Sequence, residues 1–133
     1  MDFTDKIKAG LISEKNDTVN NENAAAAIGS GGLAVYATPS MIALMECAAF
    51  SAVEPLLPAP WSTVGTDINV KHLSATPLGM KVCARAELLA IDGRALAFKV
   101  EAFDESGIIG EGTHSRFIID SEKFMMKTEA KKG

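Results

Sequence analysis

Between Thr38 and Pro55 the chain reads "TPSMIALMECAAFSAVEP", with small and apolar residues on every side of a would-be helix. A helix of that kind must be surrounded by protein rather than laid on a surface. Thr38 followed by Pro39 marks its start, because threonine can cap exposed amides and proline is tolerated in the first turn. Pro55 marks its end. From Trp61 onward the period changes from helical to two. Four strand-like runs follow, "STVGTDINVKHLSA", "GMKVCARAELLAI", "RALAFKVEAF" and "IIGEGTHSRFIID", joined by "TPLG", the Asp92-Gly93 turn and "DESG". Each run is about ten residues, where about five or six is usual. One fully apolar helix and one set of long strands have a common solution, an α+β fold in which a long antiparallel sheet curls around the buried helix. "GLISEKNDTV" supplies a first strand. "NNENAAAAIGSGGLAVY" is expected to be a loop with a short helical turn near Ala24 to Ile28, and the tail "SEKFMMKTEAKKG" is lysine-rich. Such a sheet keeps exposed edges and a second face, so pairing with another copy is expected, as a homodimer or a multiple of dimers.

At 133 residues the chain suits one domain, residues 1–133, with a single core. A formal charge of -4 speaks against nucleic acid as the main ligand, which needs a basic face. The most apolar window, residues 39–53, is too short to span a bilayer and carries Glu46, and the first fifteen residues lack the apolar core of a signal peptide. A cytoplasmic protein with no membrane partner is the expectation. Cys47 and Cys83 sit among apolar neighbours without CxxC spacing, so buried free thiols are expected rather than a disulfide or a zinc site.

Glu46 is the anomaly. At about 100° per residue it shares a face with Ile42, Ala43, Ala49, Phe50 and Val53, and a carboxylate on such a stripe needs a partner. His72, near the end of a strand-like run, is the best candidate. A backbone group or a surface lysine at a dimer rim is the alternative. Thr38, eight residues before Glu46, is either a simple cap or a hydroxyl held beside the free amides and positive end of the helix, a place suited to a carbonyl oxygen. His72 and His114 can each be a satisfied structural histidine or a proton carrier. No local ligand spacing supports a metal site built from Glu46, His72 and His114.

The order "ATPSMIALMECAA", "VGTDINVKHLSATPLGMKV", "AELLAIDGRALAFKVEAFD", "GEGTHSRFII" and "EKF" resembles the fluoroacetyl-CoA thioesterase-like branch of the hotdog-fold thioesterases, over roughly residues 35 to 127. The resemblance implies a hotdog fold and an acyl-CoA thioesterase whose catalytic set falls on Thr38, Glu46 and His72. It also implies that Gly65, in the "GT" segment, helps orient the thioester, and that Arg116, in "GTHxR", acts at the acyl or CoA end. No separate cofactor is implied, since CoA is part of the substrate. The fluoroacetyl-specific relative carries an aromatic lid residue six positions before its threonine, where this chain has Gly32. Thioester hydrolysis is therefore carried more securely than fluoroacetate selectivity.

Hydrolysis needs a nucleophile or activated water, a proton shuttle and donors for the oxyanion. Glu46 and His72 suit the acid/base pair, and Thr38 is either a transient nucleophile or the group that positions water. Arg94, Arg116, Lys71 or the lysine tail could meet CoA phosphates. Two other readings fit the same residues. One is a hotdog dehydratase or hydratase acting on acyl thioesters. The other is a non-catalytic dimer that binds acyl-CoA or another small ligand.

Overall fold

The computed structural model describes Phe3 and residues 5–133; Met1, Asp2 and Thr4 lie outside the described residues. Its elements follow the order β1 (Ile12–Thr18), α1 (Ala25–Ile28), α2 (Thr38–Val53), β2 (Trp61–His72), β3 (Lys81–Asp92), β4 (Ala95–Asp104), β5 (Gly107–Asp120) and α3 (Ser121–Glu129). A 3-10 turn over Glu54–Leu56 extends α2 past Pro55, where the missing amide of proline ends the α-helical ladder. All five strands form one antiparallel sheet in the order β1-β3-β4-β5-β2. Gly93 closes the β3–β4 hairpin at φ 62°, a left-handed value open to glycine.

The core lies between α2 and the concave face of the sheet. Met41, Met45, Ala48, Ala49 and Val53 of the helix are buried against Val82, Ala84, Ala86 and Leu88 of β3, with Leu96, Phe98, Val100 and Ala102 of β4 in the same cluster. These strand residues recur every second position, the pattern of one covered face. At about 25 cal/mol per Å² of apolar surface removed from water, each fully buried side chain of Leu or Met size stabilises by roughly 2–3 kcal/mol.

Two expectations need correction. The helix is not enclosed on all sides by its own chain, because Ala43, Cys47 and Phe50 are exposed along one stripe. Cys47 is therefore an exposed thiol and Cys83 a half-buried one, both free. Apolar character marks a surface that wants cover without saying which chain supplies it. The lysine-rich tail also forms a helix, α3, whose start Asp120 caps by accepting from the amides of Glu122 and Lys123.

β2 is an edge strand, exposed from Gly65 to Asn69. It pairs with β5 from Trp61↔Asp120 to His72↔Gly110, with a bulge between Gly65 and Asp67 that leaves Thr66 outside the ladder. Gly65 lies opposite Arg116, Ile68 opposite His114 and His72 opposite Gly110. A Cβ on Gly110 would strike Met41 of α2, so these pairs all sit on the helix-facing side. Gly65 and His72, an odd number of residues apart, share a face only because Thr66 is skipped.

Candidate active site

Thr38 is the first residue of α2, and Ala37 holds the N-cap position without a side-chain cap bond. The threonine hydroxyl is used elsewhere: Oγ1 lies 2.7 Å from His72 Nδ1, at the end of β2. Capping thus does not explain Thr38. His72 Nε2 is buried and has no hydrogen-bond partner among the described residues. Burial pushes the ring's pKa below the ordinary histidine value, with the Ser74 backbone pulling the other way, so His72 is held towards its neutral, proton-accepting form. Thr38 and His72 open on a cavity of about 300 Å³ whose wall includes Ala25, Ser30, Tyr36 and Leu73. The Tyr36 hydroxyl donates to the Ser40 carbonyl (3.2 Å), and burial keeps it protonated. At the helix start beside Thr38 the first amides have no intrahelical acceptor, although Pro39 has no amide and that of Met41 bonds the Ala37 carbonyl.

Glu46 belongs to a second cavity, of about 240 Å³, with Gly65, Asp67, Ile68 and His114 in its wall. A Cβ built on Gly65 would lie 3.2 Å from Glu46 Oε2, 3.2 Å from His114 Cε1 and 3.5 Å from Arg116 Nη1. Glycine at 65 is what lets the three side chains converge over the strand. Arg116 is buried: Nε donates to Thr63 Oγ1 (2.8 Å), Nη2 to the Thr63 carbonyl (3.1 Å) and Nη1 to His114 Nε2 (3.2 Å). His114 Nδ1 donates in turn to the Asp67 carbonyl at 2.8 Å. Desolvation lowers the pKa of Arg116, while Glu46 and then Glu54 raise it.

Of the residues singled out from the sequence, Thr38 and His72 meet, and Glu46, Gly65 and Arg116 meet. The two groups do not. Gly65 and His72 are seven residues apart on β2, roughly 20 Å at about 3.3 Å per residue, so the neighbours of Glu46 within the chain are His114 and Arg116. Glu46, His72 and His114 likewise do not converge on one point. Gly32 does not line the Thr38 cavity, to which its segment contributes Ser30, and a Cβ on Gly32 would meet nothing within 4 Å. Arg94 stacks over the Trp61 ring at 4.8 Å. Sequence reasoning passed over the His114–Arg116 pair. Their spacing of two on a strand, which puts both on one face, was the available signal.

This arrangement can be set beside known proteins. The family described as fluoroacetyl-CoA-specific thioesterase, FlK, matches the chain over residues 19–122, a span that includes both groups of residues. The chain belongs to the FlK family. The fluoroacetyl-CoA thioesterase of Streptantibioticus cattleyicolor is 43% identical over 97 residues, which cover 73% of this chain and 70% of that protein. A threonine-to-serine variant of FlK, solved in complex with acetyl-CoA, superposes with a TM-score of 0.89 at 32% identity, over 96% of this chain and 100% of that one. For the fold alone, a hot-dog-like protein from Thermanaerovibrio acidaminovorans gives a TM-score of 0.90 at 18% identity, covering 100% of this chain and 98% of its own. The chain is thus a hotdog-fold thioester hydrolase of the FlK kind, acting on acyl-CoA. No helix among the described residues is long and apolar enough to cross a membrane.

Proposed function

We propose that this FlK-family chain hydrolyses acyl-CoA in a site that two copies build together, with Thr38 and His72 from one and Glu46, Gly65 and Arg116 from the other. The observation that carries this reading is the buried, unpartnered His72 Nε2 behind the Thr38–His72 hydrogen bond. If the Thr38 hydroxyl donates to Nδ1, Nε2 carries the ring proton, and a buried donor of that kind calls for an acceptor. Glu46 is a helix carboxylate beside the exposed stretch of the β2 edge, and antiparallel pairing of two β2 strands about Ile68 carries it towards His72 of the other copy. Pairing there also covers the exposed Ala43–Cys47–Phe50 stripe, in keeping with the expected homodimer.

In this site His72 takes a proton from water or from Thr38, and the resulting oxygen nucleophile attacks the thioester carbonyl. Amides at the α2 start and at Gly65 hold the oxyanion. The C–S bond breaks, and His72 returns its proton to the departing CoA sulfur. Attack by water yields the acid directly. Attack by Thr38 yields an acyl-threonine that a water then hydrolyses to the same acid. With Gly32 in place of an aromatic lid residue, the acyl end is open, and acyl groups larger than fluoroacetyl are accepted.

The test is free-thiol release from fluoroacetyl-, acetyl- and four- to eight-carbon acyl-CoA by wild type and His72→Ala. Wild type should release CoA, and the variant should lose about two to four powers of ten. Conversion of the thioester without thiol would indicate a dehydratase or hydratase. Binding without any turnover would leave a ligand-binding module, and near wild-type turnover by His72→Ala would overturn the assigned proton shuttle.

A further inference from the structure

His114 is 2% exposed and has no part in the hydrolytic steps above, yet both ring nitrogens are engaged. Its partners fix its state. The Asp67 carbonyl can only accept, so Nδ1 carries a hydrogen; a guanidinium can only donate, so Nε2 offers a bare lone pair to Arg116 Nη1. The ring is therefore neutral and in a single tautomer. Behind it lies the Phe98 ring, stacked at 6.3 Å between centroids with an interplanar angle of 29°.

We propose that His114 is a positioning residue that, as the neutral Nδ1–H tautomer, fixes the Arg116 guanidinium in the orientation that faces Glu46. The inference rests on the reading of Glu46 as part of the active site. Thr63 anchors two nitrogens of Arg116, Nε and Nη2, from one side. The third, Nη1, is the one nearest the space above Gly65, and His114 is its hydrogen-bond partner. Without His114 the guanidinium stays tethered by Thr63 but loses the contact that sets its angle. The counter-charge of Glu46 then shifts, and with it the carboxylate offered to His72 of the other copy. A misplacement of this kind away from the reacting atoms can cost about a hundredfold in rate.

Protonation would undo the arrangement, since an imidazolium cannot accept from Arg116. The charged groups facing His114 are Glu46 from α2, Asp67 from β2 and Arg116 from β5, while β4 presents the uncharged Phe98. Burial and Arg116 disfavour the charged ring, and the Asp67 backbone, Glu46 and Asp67 favour it. Burial leads, and the ring stays neutral at physiological pH.

Three variants and one spectrum test the proposal. His114→Phe keeps the stack on Phe98 but removes donor and acceptor; kcat for acetyl-CoA should fall about ten- to a hundredfold with little change in KM. His114→Gln, which keeps one donor and one acceptor, should recover most of that loss. Placed on Arg116→Leu, His114→Phe should cost less than about twofold more, because the group it positions is already gone. Full, multiplicative losses in that background would reduce His114 to packing and overturn the proposal. Independently of activity, the ring ¹⁵N spectrum of the intact protein at pH 7 should show a protonated Nδ1 and a bare Nε2. An Nε2–H tautomer or a charged ring would overturn it even if His114→Phe failed to fold. Failure of the underlying reading would show separately, as a Glu46→Gln variant with full turnover.

Discussion

Two inactive variants should repair one another if each site draws Thr38 and His72 from one copy and Glu46 from its partner. Within a chain the carboxylate sits over Gly65, roughly 20 Å along β2 from His72 at about 3.3 Å per residue, and no rotamer closes that gap. Alone, His72→Ala and Glu46→Gln should each lose about two to four powers of ten in turnover. In a two-fold dimer made of one copy of each, both lesions fall in the same site and the other site is intact. Equal amounts, unfolded together and refolded, give about half heterodimers by random pairing, so about a quarter of wild-type activity should return from a two-fold assembly. The assay is thiol release from acetyl-CoA before and after co-refolding, with native mass spectrometry counting the heterodimers. Each variant refolded alone is the control. Activity that stays at the level of the separate variants, in a sample where heterodimers are counted, would refute the shared site.

Replacing Thr38 separates its roles: Thr38→Ala should cost about 1 kcal/mol of stability for the lost hydrogen bond but slow the chemical step far more, with Thr38→Ser retaining a measurable fraction. Equal single-turnover rates for alanine and wild type would remove Thr38 from the catalytic set. Acidification should destabilise the fold, because His72 and His114 both have folded pKa values below 6.5 and so bind protons more readily when unfolded. That stability is complete above 6.5 and is lost as pH falls through the folded values; urea midpoints that stay level or rise on acidification, at constant ionic strength, would contradict it. The kcat/KM ratio of fluoroacetyl- to acetyl-CoA should be small, under about tenfold, since one small substituent in an open pocket offers little discrimination. Gly32→Phe, which has room at its Cβ, should curb longer acyl chains, and equal acceptance would show that this segment does not bound the acyl group. Gly112→Ala would drive a Cβ into the Asn69 carbonyl and Val70 Cα of β2, and should lower stability by about 2–3 kcal/mol in denaturant melts.

Much of this architecture was legible from periodicity alone. The four runs after Trp61, the first strand, the short turn after Ala24 and the ends of α2 stand where turn chemistry and alternation put them, because those signals are local. α3 escaped, although Asp120 ahead of Ser-Glu-Lys is a cap signal; its amphipathic face is weak and none of its residues is buried. The neighbours of Glu46 within the chain, His114 and Arg116, escaped for a different reason. Helical geometry gives the direction of the carboxylate, but which strand residue lies beneath it depends on the pairing register of β2 with β5, a property of distant segments. The exposure of Cys47 and Phe50 has the same origin, since an apolar stripe looks alike whether its cover is the same chain or a copy.

The bulge at Thr66 makes β2 more sensitive to its length than to its composition. Side chains before and after it are out of phase by one residue, and both halves of the site depend on that phase. Inserting one residue between Gly65 and His72, with Thr66 still skipped, would act on the strand much as a frameshift acts on a message. Every side chain downstream would change faces, His72 would turn to the convex side, and Lys71, brought inward, would present an ammonium group to the core. In a site shared by two copies, the single lesion would strike both sites together. A residue gained there requires a second, compensating change before the histidine can face the helix again, whereas a residue lost can be absorbed by closing the bulge at Thr66.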